Sequence, residues 1–257
     1  MLGSAEVTAY DLRFRLLAVP VRVHPLFWLI MLILSGEERN LGAAAVFIAC
    51  AFISILAHEF GHGLAGRLMG DEPSEIVLYS MGGYCAFQQY RLRRWPKIIM
   101  ILSGPGAGFL LMGLVLAWAR VVHGISPMDA MAIIGVGDRD AISAVVKLPP
   151  SLVARYAFFF LLQINFWWGV FNLLPIWPLD GGRIAEELLG TVNPREATRR
   201  GHAVSLITAG LIALWLASQE QYLMALWLGY FGYINYQMLQ TLHRESRYAE
   251  AGDWWRR

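Results

Sequence analysis

The chain reads as an all-α polytopic membrane protein of about six transmembrane helices, with a small β-sheet or hairpin at the cytoplasmic membrane surface. Three observations predict this. The 257 residues are 57% hydrophobic and only 16% charged, with mean hydropathy +0.48, where a soluble domain carries more charge. Long uncharged runs recur, for example LGAAAVFIACAFISILA over residues 41–57. The basic residues are also uneven. With six spans, the segments on one side hold 16 Lys plus Arg and those on the other hold 5. The positive side is cytoplasmic, so both termini are expected there, in what reads as a prokaryotic cytoplasmic membrane.

Residues 1–11 are polar. Residues 12–23, LRFRLLAVPVRV, partly alternate apolar and basic side chains, which reads as a strand at the membrane surface. His24-Pro25 opens a first, short span over about 25–35, and 36–40 is a turn. The second helix runs from about Leu41 to Met69. Residues 75–80 and 84–89 flank Met81-Gly82-Gly83, where Gly-Gly suits a tight hairpin turn. A third span covers about 98–119 and contains Ser103-Gly104-Pro105-Gly106-Ala107-Gly108. Small residues permit close helix packing and Pro105 is a candidate kink.

Residues 120–151 read as an external loop with room for one short helix. A fourth span over about 152–174 ends in Pro175-Ile176-Trp177-Pro178-Leu179-Asp180-Gly181-Gly182, where two prolines should break the helix and leave extended backbone. Asn193-Pro194-Arg195-Glu196 reads as a helix start. Spans five and six cover about 203–217 and 222–239, and the polar tail carries Trp254 and Trp255 as interfacial anchors. No repeat or linker divides the chain, so one membrane-embedded domain is expected over 1–257. Its catalytic core is 12–190; residues 191–257 add two helices and a cytoplasmic tail.

The net charge of +2 and the lack of a basic cluster with interleaved aromatics argue against a nucleic-acid partner. Cys50 and Cys85 form no framework; Cys50 reads as a small core hydrophobe. The N-terminus lacks the order of a cleavable signal peptide.

The chemistry concentrates at His58-Glu59-Phe60-Gly61-His62. Histidines four apart stack on one helix face and can hold one zinc through neutral ring nitrogens. Glu59 follows the first, where a carboxylate can reach a water on the metal and act as general base. This is the H-E-x-x-H signature of zinc hydrolases. His58 lies 17 residues from Leu41, roughly 26 Å along a helix, against a hydrocarbon core of about 30 Å. The motif is therefore within the membrane, where ionisable groups are costly and usually functional. Asp180, at the end of span four, is on the same side as His58 and His62.

Together with Asn172-x-x-Pro175-x-x-Pro178-Leu179-Asp180-Gly181, this motif resembles the site-2 protease family of intramembrane zinc metalloproteases, peptidase family M50. Val23-His24-Pro25, Gly82-Gly83 and Ser103-Gly104-Pro105 also sit where family members place similar motifs. The resemblance covers roughly residues 12–190, in a minimal form with no PDZ-like domain within the chain and no CBS domain after it. It implies His58, His62 and Asp180 as ligands of one Zn²⁺ per chain, Glu59 as catalytic base, and Asn172 as a residue holding substrate backbone or oxyanion. A plain helix–helix hydrogen bond is the other reading of Asn172, and an N-cap the other reading of Asp180. His24 and His202 read as structural or interfacial.

The family's membrane-associated hairpin is similar to residues 75–89. Met81, Gly82, Gly83 and Tyr84 are therefore candidate substrate-binding residues, because an edge strand captures unwound substrate by strand addition; an ordinary surface hairpin is the other reading. The expected partners are the lipid bilayer and a membrane-associated protein substrate. Within the family these include membrane-tethered transcription factors, anti-sigma factors, precursor sigma factors and leftover signal peptides. A metal-binding transporter is the alternative function, but no internal repeat with paired broken helices accompanies it.

Overall fold

The computed structural model describes residues 6–36, 40–80, 82–88, 92–133, 135, 149, 151–194 and 196–252. Trp254, Trp255, Met81, Arg195 and most of 134–150 lie outside them. The chain divides into two compact units, Met1–Val170 and Phe171–Arg257.

The first unit holds one four-stranded sheet in the order β1 (Leu12–Leu16), β2 (Val19–Val23), β3 (Pro73–Tyr79), β4 (Gly82–Phe87). The single strand expected over 12–23 is a hairpin: β1 and β2 pair antiparallel, Leu12 opposite Val23. The chain reverses at Leu17 and Ala18, whose φ values of +49° and +65° are left-handed. β2 and β3 are parallel, Val21 opposite Ile76. β3 and β4 are antiparallel with Tyr79 opposite Gly82 and Leu78 opposite Gly83. Ser80, after β3, is left-handed with φ +52°, and Gly82 and Gly83 begin β4 instead of forming the turn.

Period-2 alternation puts Val19, Val21 and Val23 on one buried face of β2. With Ile76 and Leu78 they pack on Phe27 and Met31 of α1 (Pro25–Leu34) and on Ala51 and Ile55 of α2 (Leu41–Leu68). Arg22, on the opposite face, is buried and ion-paired at 3.2 Å to both Asp11 and Glu75. His24 caps α1, its Nδ1 accepting the Leu26 N–H at 3.1 Å with Pro25 in the first turn, which is the structural role expected of it.

Asn40 caps α2 in the same way. Cys50 is buried in that helix. α3 (Arg94–His123) contains Pro105 and ends at Gly124, φ +68°. The expected loop after it does hold a short helix, α4 (Pro127–Ile133). Residues from α3, α4 and α5 (Leu152–Asn172), including Ala119, Ala130 and Phe158, form a second core. Asn165 of α5 donates to Ser54 Oγ of α2 at 2.9 Å.

In the second unit, α6 (Asp180–Val192) is followed by α7 (Ala197–Ser218) and α8 (Tyr222–Gly252). Asn193 is the C-cap of α6. α7 starts at Ala197, three residues later than the Asn-Pro pattern suggests. Ile176, Leu179, Ala209, Leu228 and Phe231 make the core of this unit.

Among the described residues, α2, α3 and α7 are long and apolar enough to cross a membrane. α1 has ten residues, about 15 Å of rise, half the hydrocarbon thickness.

Candidate active site

In α2, His58, Glu59 and His62 are all buried, at 3%, 5% and 7% exposure. The helical spacing of four brings His58 Nε2 within 3.2 Å of His62 Nε2. Two nitrogens sharing one tetrahedral zinc, each about 2.05 Å from it, would be about 3.3 Å apart. The donor pair is thus already set at the span the metal requires. His62 Nδ1 lies 3.0 Å from the carbonyl oxygen of Met100 in α3. A carbonyl only accepts, so Nδ1 carries the proton and donates. That fixes the tautomer and leaves the Nε2 lone pair for a metal.

The side chains that α3 presents to this face are small for a specific reason. A Cβ on Gly104 would run into His62 Nε2 and Cε1 and come within 2.9 Å of His58 Nε2. A Cβ on Gly61 would run into the Ser103 carbonyl. Ser103-Gly104 therefore lets α3 backbone lie directly against the histidine pair.

Glu59 faces the sheet. A Cβ on Gly83 would be 2.9 Å from Glu59 Cγ and 3.1 Å from Oε1. Further along the same seam, Gly63 meets Cys85 and Gly66 meets Phe87. Residues 59, 63 and 66 of α2 thus match 83, 85 and 87 of β4, a helical period running beside a strand period. Gly63 and Gly66 were not legible as site residues; the only cue was glycine recurring on one helix face. β4 is, with β1, one of the two edge strands of the sheet. Tyr84 pairs with Val77 within it, and Gly82 touches Trp168 only at ordinary contact distance, 3.4 Å. The Cys85 thiol is pushed up to about 12, by burial first and then by the charges of Glu59 and Asp71. It stays protonated and is no nucleophile at neutral pH.

Asn172 and Asp180 belong to the second unit, both buried. Asn172 is the last residue of α5 and Asp180 the first of α6. The N-cap of α6 is Leu179, without a side-chain cap bond, so Asp180 does not occupy the cap position. The segment between the two helices is not extended. It folds into tight turns, with Ile176 N–H donating to Leu174 O at 2.7 Å and Leu179 N–H to Ile176 O at 2.8 Å. Gly181 and Gly182 pack against these turns, where a Cβ would strike the carbonyls of Leu173 and Leu174 and the backbone of Ile176 and Trp177.

Trp177 donates its N–H to Ser205 Oγ at 2.9 Å, and its carbonyl accepts from Asn235 Nδ2 at 2.7 Å. Buried His202 bonds Asn235 Oδ1 through Nδ1 at 2.7 Å, the structural role expected of it. Sequence reading did not find Ser205 or Asn235.

The family model described as peptidase family M50 matches residues 46–216. A zinc metalloprotease of Methanocaldococcus jannaschii is 24% identical over 184 residues, covering 70% of this chain and 46% of that protein. Stage IV sporulation protein FB of Bacillus subtilis is 24% identical over 208 residues, covering 78% of this chain and 58% of its own. The chain spans 30% to 58% of the length of the curated relatives it matches. Among solved structures, a site-2 protease from Methanocaldococcus jannaschii superposes with TM-score 0.58 at 20% identity, over 90% of this chain and 95% of that one. This last likeness is one of fold.

Proposed function

The chain belongs to peptidase family M50, and on that footing we propose that it is an intramembrane zinc metalloprotease, hydrolysing a peptide bond in or near a transmembrane segment of a membrane-associated protein. The observation that carries this reading is the buried His58-Glu59-His62 face on a helix apolar enough to cross a bilayer.

His58, His62 and Asp180 would hold one Zn²⁺. Two imidazoles and a carboxylate are a catalytic zinc set that leaves a fourth position open. The chemistry a bound zinc would supply there is Lewis-acid polarisation of the scissile carbonyl and a water whose pKa is lowered to about 7. Met100 holds the His62 ring in the tautomer this needs. Glu59 takes the proton of the attacking water and returns it to the leaving amine. Asn172 offers amide donors to the substrate backbone or to the oxygen that gains charge. The edge of β4 and residues 81–84 take the unwound substrate as an added strand. Glu59 lies against Gly83, which supports a strand that delivers its peptide bond beside the base.

Six segments cross or enter the bilayer, with both termini and the opening of the site cytoplasmic; the distribution of Lys and Arg supports this orientation. The deciding experiment is metal analysis of purified protein plus cleavage of a membrane-spanning substrate in proteoliposomes. Zinc near one per chain and cleavage abolished by chelation are expected. Cleavage that survives Glu59→Gln would overturn the mechanism.

A further inference from the structure

We propose that Ser205 and Asn235, with His202 behind Asn235, are positioning residues that hold Trp177 and thereby fix the carboxylate of Asp180 three residues on. This rests on the reading of Asp180 as a zinc ligand. The hydrogen-bond accounting is complete. Asn235 Nδ2 gives its two hydrogens to the carbonyls of Trp177, at 2.7 Å, and Phe231, at 2.8 Å. That sets the orientation of the amide, so Oδ1 faces His202 and accepts, and His202 Nδ1 carries the proton at 2.7 Å. Ser205 Oγ gives its hydrogen to Gly201 O at 2.8 Å, within α7, and accepts the Trp177 N–H at 2.9 Å.

Both backbone polar groups of Trp177 are therefore taken by side chains from two different helices, α7 and α8. Ser205, Asn235 and His202 are at most 4% exposed, and the His202 ring also packs edge-on to the Trp177 ring at 5.5 Å. Non-helical backbone at membrane depth persists only where such partners exist. The turns that follow leave Asp180 no slack, because Gly181 and Gly182 are pressed on the backbone of residues 173–177. Residues that orient a metal ligand commonly change metal affinity 10–100-fold when lost.

The test uses full-length protein in detergent and measures zinc affinity by chelator competition alongside thermal unfolding of the metal-free form. The variants are Ser205→Ala, Asn235→Leu and Asp180→Ala, with Ile125→Ala as a destabilised core control in the first unit, where Ile125 is 1% exposed. Ser205→Ala and Asn235→Leu should weaken zinc binding 10–100-fold, whereas Ile125→Ala should lower the unfolding temperature and leave zinc affinity unchanged. Ser205→Ala removes one oxygen and is the variant to rely on if Asn235→Leu does not fold. If Asp180→Ala weakens zinc while Ser205→Ala keeps parental affinity, the positioning role is wrong and the ligand reading stands. Equal zinc loss in Ile125→Ala would also overturn the positioning role. Parental zinc affinity in Asp180→Ala would overturn the ligand reading, and the positioning role with it.

Discussion

Gly83 at the start of β4 lies directly against Glu59 in α2, so close that a methyl group there would sit 2.9 Å from Glu59 Cγ. Gly83→Ala should displace the carboxylate and lower kcat about 10²-fold, the order expected for a misplaced catalytic group, with zinc content intact. Gly82→Ala, whose added methyl would meet Trp168 at 3.4 Å, should stay within a few-fold of the parent. Equal rates for the two variants would separate the strand from the base.

Glu59 and Asp180 should have opposite signatures. Glu59→Gln keeps the shape but removes the proton acceptor, and should cost on the order of 10²–10⁴ in rate while the protein stays metallated. Asp180→Ala should be inactive and metal-depleted, since two histidines alone hold zinc poorly. Metal analysis and turnover on the same preparations check both.

Gly104→Ala should disturb the histidine pair itself. The methyl has backbone on one side and the two imidazoles on the other, and forced overpacking of this kind costs about 1–3 kcal/mol. Zinc affinity should fall at least tenfold. Gly106→Ala, two residues on with nothing within 4 Å of the added carbon, should bind zinc as the parent does.

The sheet should have an acid limit set by Asp11. Burial alone would raise its pKa, but hydrogen bonds from Thr8 and Arg22 outweigh that and hold it at about 2, below its ordinary 3.8. A carboxyl depressed in the folded state adds stability that is complete above the unfolded pKa and is lost as pH falls through the folded one. The unfolding temperature should therefore decline between about pH 4 and pH 2, and Asp11→Asn should be less stable at neutral pH and flatter across that interval.

Orientation predicts where labels react. If both termini are cytoplasmic, as proposed, the turn at residues 219–221 between α7 and α8 should be external. A cysteine placed at Gln219 should react with an impermeant maleimide in intact cells; one placed at Thr198 should not. The reverse pattern would invert the topology.

The helix of the candidate metal site was legible because His58, Glu59 and His62 interrupt an apolar run, and few physical reasons permit that. The break before Asp180 was legible from Pro175 and Pro178. Its turns were not, because they depend on Ser205 and Asn235, which are distant in sequence and carry no motif. Gly82-Gly83 has the sequence form of a turn, yet both residues belong to β4, and Gly83 is small because Leu78 and Glu59 both press on it. At Leu17-Ala18 a tight turn forms from two residues that carry no turn signal, so residues 12–23 looked continuous. The start of α7 was misplaced because Asn193 closes one helix instead of opening the next.

The parallel pairing of Val21 with Ile76 has a consequence for biogenesis. The ribosome delivers β2 more than fifty residues before its partner, with α1 and the whole of α2 made in between. Until β3 emerges, β2 has a bare edge and its valines lack Ile76 and Leu78. Non-local pairings of this kind form late. The helix that carries the histidines must therefore be made before the sheet beside it can close, so the nascent chain has no assembled four-stranded platform during that interval. The β4 edge beside Glu59 thus comes into existence only after the helix that bears the histidines has been synthesised.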